Sequence, residues 1–356
     1  GQPVQAENMM ARLAGLPLRD AVLTQAAPDG DPSLILLRNC HLIVRTISLF
    51  ASATGLLVLL GWWLDVAIFK SVLPGAATMK PNTALCFVLA GAALWALHGE
   101  PASRRALRRW AGQACAAVVS LVAWLTLSEY LFDFNAGIDT LLYPGAAFDA
   151  HATHAGRMAL ITAVAFGFAS SDLLLLNKPQ RTALLIGQCC AFATALIGLI
   201  AVLGYAYGIE DLYRFYSYSS MALHTAVLFI VLGFGMLLAR PDYGFAAILV
   251  HADSGGFLAR RILPLAVLAP FRIGWLRLMG ERAGYYGTTF GLTLFASANV
   301  GIFVLLVWFS ARALNRKDAE RRRAQQALRQ SEQRLRNIID GLGPNMFVGL
   351  LTTDGI

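Results

Sequence analysis

Two arginines, Arg272 and Arg277, stand inside an otherwise apolar stretch at 262–279. A guanidinium at membrane depth is costly to desolvate, so it pairs, snorkels to the surface or binds something. Arg272 falls ten residues past Ile262, about 15 Å along a helix. Pro264, Pro270 and Gly274 surround it and predict a kinked span. Arg277 lies nearer the outer end. Glu129 and Asp65, which close their own apolar stretches at similar depth, are its expected ion-pair partners.

Histidines are the second group with chemistry to offer. His151 and His154 form a His-x2-His pair close to Asp149, and His224 opens another apolar stretch. A metal site drawn from these four is conceivable, but the spacing fixes no second ligand pair, and a solvated loop is the favoured reading. The five cysteines, Cys40, Cys86, Cys115, Cys189 and Cys190, contain no CxxC pair, so neither a zinc site nor a disulfide framework is expected. No cofactor is expected either.

Three threonines recur in a common setting. Met79-x3-Thr83-Ala84-x2-Phe87-x3-Gly91, Met158-x3-Thr162-Ala163-x2-Phe166-x3-Ser170 and Met221-x3-Thr225-Ala226-x2-Phe229-x3-Gly233 share one pattern at fixed offsets. The segments before them also rhyme: Tyr130 leads to Gly137-Ile138-Asp139, and Tyr205 leads to Gly208-Ile209-Glu210. The repeating unit is a helical hairpin. Small residues in the motif suit close packing in lipid. A second reading gives Thr83, Thr162 and Thr225 a ligand role, because three outward helix N-termini would converge on an anion.

Composition says what holds these residues. The 356-residue chain is 57% hydrophobic and only 14% charged, too little charge to solvate the surface of a water-soluble fold. Eight apolar stretches of bilayer length are expected, at 46–64, 81–97, 110–128, 158–176, 182–209, 221–239, 262–279 and 283–311. The fold class is therefore all-α integral membrane. The first six of eight transmembrane helices form three hairpin repeats with pseudo-three-fold symmetry, and a cytoplasmic coiled coil follows. The domain plan is an N-terminal segment at 1–42, with a short amphipathic helix at 9–23 and disorder weighed evenly, then a membrane domain at 43–311, a signalling helix at 312–340 and a further domain from 341.

Basic residues orient the bundle. The loops at 99–109, 177–181 and 240–261 hold nine Lys/Arg against five in the opposite loops, so both termini are placed in the cytoplasm. The net charge of +8 gathers at 312–340, with nine Lys/Arg and four Asp/Glu. Next to a membrane this reads as an anchor to anionic lipid, and no nucleic-acid partner is implied. Asp172 is expected at the cytoplasmic interface. Aromatic residues at the outer loop and span edges, among them Tyr130, Tyr143, Tyr205 and Tyr213, fit an interface belt.

Past Arg312 nothing breaks a helix until Gly341. Ala324, Leu328, Ser331, Leu335, Ile338 and Leu342 alternate at spacings of four and three, a heptad seam that suits a parallel homodimer.

The last residues resemble the opening of a PAS domain. The likeness rests on Ser331-Glu332-x-Arg334-Leu335-Arg336-x-Ile338-Ile339-Asp340, Met346-Phe347-Val348-Gly349 and Thr353-Asp354-Gly355-Ile356. The membrane part is similar to the N-terminal sensor region of multi-domain bacterial histidine kinases and diguanylate cyclases, in Met79-Lys80-Pro81-Asn82-Thr83-Ala84-Leu85-Cys86-Phe87, Met221-Ala222-Leu223-His224-Thr225-Ala226 and Trp275-Leu276-Arg277-Leu278-Met279-Gly280-Glu281-Arg282-Ala283-Gly284. The resemblance implies a sensory input module in a bacterial inner membrane, an unidentified small-molecule or lipid-phase ligand, and a response-regulator partner reached through output domains beyond this chain. No catalytic residue is expected here. A transporter or channel built on three-fold hairpins is the alternative.

Overall fold

Two of the apolar helices are shorter than the stretches at 158–176 and 221–239 lead one to expect, and the reason is local. In the computed structural model, which describes residues 32–72, 77–98, 105–143, 156–209, 220–241, 243–250 and 254–341, every described element is a helix. They are α1 (Pro32–Trp63), α2 (Ala67–Lys70), α3 (Pro81–Leu97), α4 (Arg105–Phe132), α5 (Ile138–Leu141), α6 (Leu160–Leu175), α7 (Arg181–Tyr207), α8 (Leu223–Leu238), α9 (Gly244–Val250), α10 (Ser254–Arg282) and α11 (Thr288–Gly341). Five contain segments long and apolar enough to cross a membrane: Arg38–Trp63, Ala106–Phe132, Arg181–Tyr207, Leu258–Arg282 and Thr288–Arg312. α3, α6 and α8 have 17, 16 and 16 residues, about 24–26 Å of helix. Each is entered through extended backbone, with ψ of 153° at Lys80, 143° at Ala159 and 149° at Ala222. The methionine of the motif therefore lies just outside the helix, and in α3 Pro81 takes the first helical position, where its missing N–H costs nothing.

The chain divides into two compact units, with the boundary between Ala252 and Asp253. In the first, α1, α3, α4, α6, α7 and α8 pack in that order around a ring that closes where α8 meets α1. The short helices also touch one another and form the centre. Phe87, Phe166 and Phe229 meet there, with ring centroids 4.8, 4.9 and 4.8 Å apart and all three side chains fully buried. Mutually tilted and edge-on rings at this spacing are the favoured aromatic geometry. Met79, Met158 and Met221 are buried at one end of this core. Leu94, Leu173 and Met236 are buried toward the other.

The longer helices surround the short ones, and only about a third of each apolar window is buried: 33% in α1, 28% in α4 and 28% in α7. The stripe facing the centre has the same spacing on each and is buried apart from the half-buried tyrosines at the ends of two of them. It runs Val44, Ser48, Ala51, Gly55, Trp62 on α1, then Gly112, Ala116, Val119, Ala123, Tyr130 on α4, and Gly187, Ala191, Thr194, Gly198, Tyr205 on α7. Steps of four, three, four and seven hold one helix face toward the centre. The small residues let backbones touch. A Cβ on Gly55 would sit 2.6 Å from the Ala84 carbonyl oxygen, and one on Gly198 would sit 2.5 Å from that of Ala226. The aromatic residue at the end of each stripe donates a hydrogen bond to the motif methionine: Trp62 Nε1 to Met79 O at 2.8 Å, Tyr130 OH to Met158 O at 2.9 Å and Tyr205 OH to Met221 O at 2.6 Å.

The second unit is a hairpin of α10 and α11. Its turn is clasped by side chains. Tyr286 OH donates to Arg277 O at 2.9 Å, Arg277 Nη2 to Glu281 Oε2 at 2.9 Å and Thr288 Oγ1 to Glu281 Oε1 at 2.6 Å. Pro264 and Pro270 lie within α10, which remains one helix. α11 is continuous for 54 residues, about 80 Å at helical rise. Its first 25 residues are apolar and the remainder is polar.

Candidate functional site

The charged groups buried in the first unit collect at its two ends. At the methionine end, Arg157 immediately precedes Met158 and is 2% exposed. Its Nε lies 3.0 Å from Asp139 Oδ2 and 3.3 Å from Glu129 Oε2. Nη2 donates to Phe134 O at 3.1 Å, and the guanidinium stacks over Tyr130 at 5.2 Å. Glu129 is fully buried, and its Oε1 accepts from the Ala136 N–H at 2.8 Å. Asn82 of α3 donates to Ile138 O at 2.9 Å. Lys80, two residues before it, is buried as well. One arginine thus holds two carboxylates, and the segment that carries α5 is drawn down onto α3, α4 and α6. Desolvating these charges is tolerable because opposite charges face one another and each group makes at least one hydrogen bond.

At the opposite, arginine-rich end, cations cap helix C-termini, where the backbone leaves carbonyls unpaired. Arg108 donates to Trp95 O and to His98 O, closing α3. Arg240 Nε donates to Leu176 O at 3.0 Å and Nη2 to Asn177 Oδ1, closing α6, while Arg109 Nη2 reaches Asn177 O at 3.0 Å. His98, just past α3, is buried against His41 of α1 and Ala239 O beyond α8. Burial, the facing His41 and the nearby Arg45 and Arg240 push its pKa down to about 4, although the Ala239 carbonyl works the other way.

The residues singled out in the sequence fall in several places. Glu129 is buried as an ion-pair partner, but its cation is Arg157, not the expected Arg277, which pairs within its own helix with Glu281. Asp65 pairs with the nearby Lys70 at 2.5 Å, and that contact holds its carboxyl below the usual range. Thr83, Thr162 and Thr225 are all buried, each one turn before a central phenylalanine on the same helix. Thr225 Oγ1 has no hydrogen-bond partner among the described residues, and neither ring nitrogen of His224 has one. Arg272 is exposed on α10. Asp172, expected at the interface, is buried at 2% exposure against Gly187 of α7. His151, His154, Asp149, Tyr213, the 9–23 helix and the PAS-like residues after Gly341 lie outside the described residues. Among the described residues no three His, Cys, Asp or Glu side chains come together as metal ligands.

Arg157 and Asp139 are the functional-site residues that sequence reasoning passed over. A signal was present. Aligned on the motif methionines, Arg157 stands where the other two motif copies have Thr78 and Ser220; aligned on Trp62, Tyr130 and Tyr205, Glu129 stands where the other two helices have Gly61 and Gly204. Charge at positions that are otherwise small and uncharged marks the second hairpin as different.

No protein-family model, curated protein or solved structure matches this chain. The site's chemistry therefore rests on its own geometry. The described residues present ion pairs, caps and a histidine pair, an arrangement that holds helix ends.

Proposed function

We propose that the chain is the membrane-embedded sensory input module of a bacterial signalling receptor. A signal from the outer face or from the lipid phase changes the packing of the hairpin bundle. The last membrane helix then carries that change into the cytoplasm, toward a PAS domain and an output domain, with a histidine kinase the favoured output. The observation that carries this reading is the unbroken α11, which joins an apolar segment of membrane length to a polar rod.

In this proposal all eight apolar helices cross the bilayer. The short α3, α6 and α8 manage it because extended residues, at about 3.3 Å each, lengthen their entry. The first six crossings are three hairpin repeats about a pseudo-three-fold axis. That reading is supported by the phenylalanine triad, the matching stripes on α1, α4 and α7 and the three hydrogen bonds to motif methionines. The arginine-rich ends face the cytoplasm of the inner membrane, as loop charge directs. Leu328 and Leu335 are 62% and 57% exposed on α11, and we assign them to the seam of a parallel homodimeric coiled coil. A transporter or channel is the weaker reading, because the three rings fill the centre of the bundle where a pathway would run. Arg272, at mid-span and exposed, remains our candidate contact for a ligand or a second copy.

Cysteine cross-linking in native membranes tests the dimer that this function needs. Leu328→Cys and Leu335→Cys should form disulfides readily under mild oxidation, and Gln330→Cys, on the opposite face of the helix, should not. Equal yields at all three positions, or none at any, would refute the proposed seam.

A further inference from the structure

We propose that Asp172 is a proton-binding site, carrying its proton when the bundle is packed as seen here and exchanging it with the arginine-rich end through a small cavity between α6 and α7. Asp172 is 2% exposed on an apolar helix, and its Oδ2 has no hydrogen-bond partner among the described residues. It lines a cavity of about 10 Å³ together with Gly187, Gln188 and Arg240. Leu175, Leu176, Leu184 and Met236 complete its mainly apolar lining, and the volume accommodates at most about one water. Gln188 and Leu184 also line a wider groove of about 360 Å³ beside Arg181, Tyr243 and Gly244, on the arginine-rich side of the cavity. Gln188 stands between the two, donating to Tyr243 O at 2.9 Å and accepting from the Phe245 N–H at 3.0 Å.

The position is not dictated by the fold. Fourteen residues past the motif methionine, α3 has Ala93 and α8 has Gly235, both small and uncharged. An acid that the framework does without, placed in an apolar interior, is the kind of residue that acts on protons or ions. A carboxylate with an unsatisfied oxygen here would bear a large desolvation cost, whereas the neutral acid bears little.

The neighbours set the consequence of losing the proton. Cys190 on α7 interacts with Asp172 electrostatically. Arg240 past α8 lines the same cavity but commits Nε and Nη2 to the end of α6. From α4, Arg109 reaches Asn177 at that same helix end, and Arg181 opens α7 beside the groove. A newly charged Asp172 competes for Arg240 and so loosens the cap on α6. The proton is thereby coupled to how α6, α7 and the end of α8 are held together.

The proposal is independent of the signalling function and is tested apart from it. Infrared difference spectra of the full chain in nanodiscs, wild type minus Asp172→Asn, read the carboxyl directly. We expect a protonated-carboxyl band at about pH 7 that is wholly lost in the variant, because a buried acid without a cation partner keeps its proton. Asp172→Ala, which copies Ala93, serves as a second reference should the asparagine variant fail to insert. A difference spectrum at neutral pH that contains only ionised-carboxylate bands would overturn the proposal.

Discussion

Nδ1 of His41 lies 2.9 Å from Nε2 of His98, with the ring centroids 4.7 Å apart. The two ring nitrogens are within hydrogen-bond distance, and a charge on His98 would sit beside His41, Arg45 and Arg240. The pair ties α1 to the end of α3, while the other nitrogen of His98 faces Ala239 O at 3.3 Å.

This pair predicts an acid limit to stability. His98 has its pKa lowered from 6.5 to about 4, so between these values the unfolded chain binds more protons than the folded one. Stability is then fully present above about pH 6.5 and declines as the pH falls toward about 4, by at most roughly 3 kcal/mol. Thermal unfolding in detergent at stepped pH checks this. A midpoint that holds flat through the window, or that falls equally in His98→Gln, contradicts the assignment.

Arg157 serves two carboxylates, so its loss should cost more than the loss of either acid. Arg157→Met is expected to destabilise by about 3–5 kcal/mol, because two buried charges lose their partner. Adding Glu129→Gln and Asp139→Asn to that variant should recover much of the loss. Independent, additive effects across the set would mean that the three groups do not act as one cluster.

Close helix contact predicts opposite results at two glycines. Gly198→Ala drives a Cβ to 2.5 Å from the Ala226 carbonyl oxygen, where backbone must shift, and should cost about 1–3 kcal/mol. Gly167 has nothing within 4 Å of its added Cβ, so Gly167→Ala should be neutral or stabilising by up to about 1 kcal/mol through helix propensity. Unfolding midpoints of the two variants, side by side, decide the matter.

Much of the architecture was legible before any coordinates. The apolar stretches became helices because periodicity and composition alone decide that in a chain so poor in charge. The Met-Thr-Ala-Phe motif was legible too, since the three phenylalanines that converge at the centre sit at one offset within it. The partner stripes on α1, α4 and α7 were harder to read. They consist of Gly, Ala, Ser, Thr and Val, residues that also face lipid without penalty, so their common spacing carries meaning only once one knows which face is inside. The length of α6 and α8 was overread because the extended entry residues Met158-Ala159 and Met221-Ala222 are as apolar as helical ones, whereas α3 spans the expected 81–97. Pairing was the least accessible. Glu129 and Arg157 are 28 residues apart in the chain, and no periodic pattern links them. Asp172 looked interfacial because it lies three residues before the end of α6 at Leu175, yet its face of α6 turns inward to Gly187.

The central claim is that a change among the hairpins travels along α11. Spin labels at Leu335→Cys, read by double electron–electron resonance in nanodiscs, test it most directly. The account predicts a short, narrow distance distribution that shifts when Arg157→Gln perturbs the bundle, and no such shift once Ala313, Leu314 and Asn315 are replaced by three glycines. The same distribution in every variant, or the same shift across the glycine break, would contradict it.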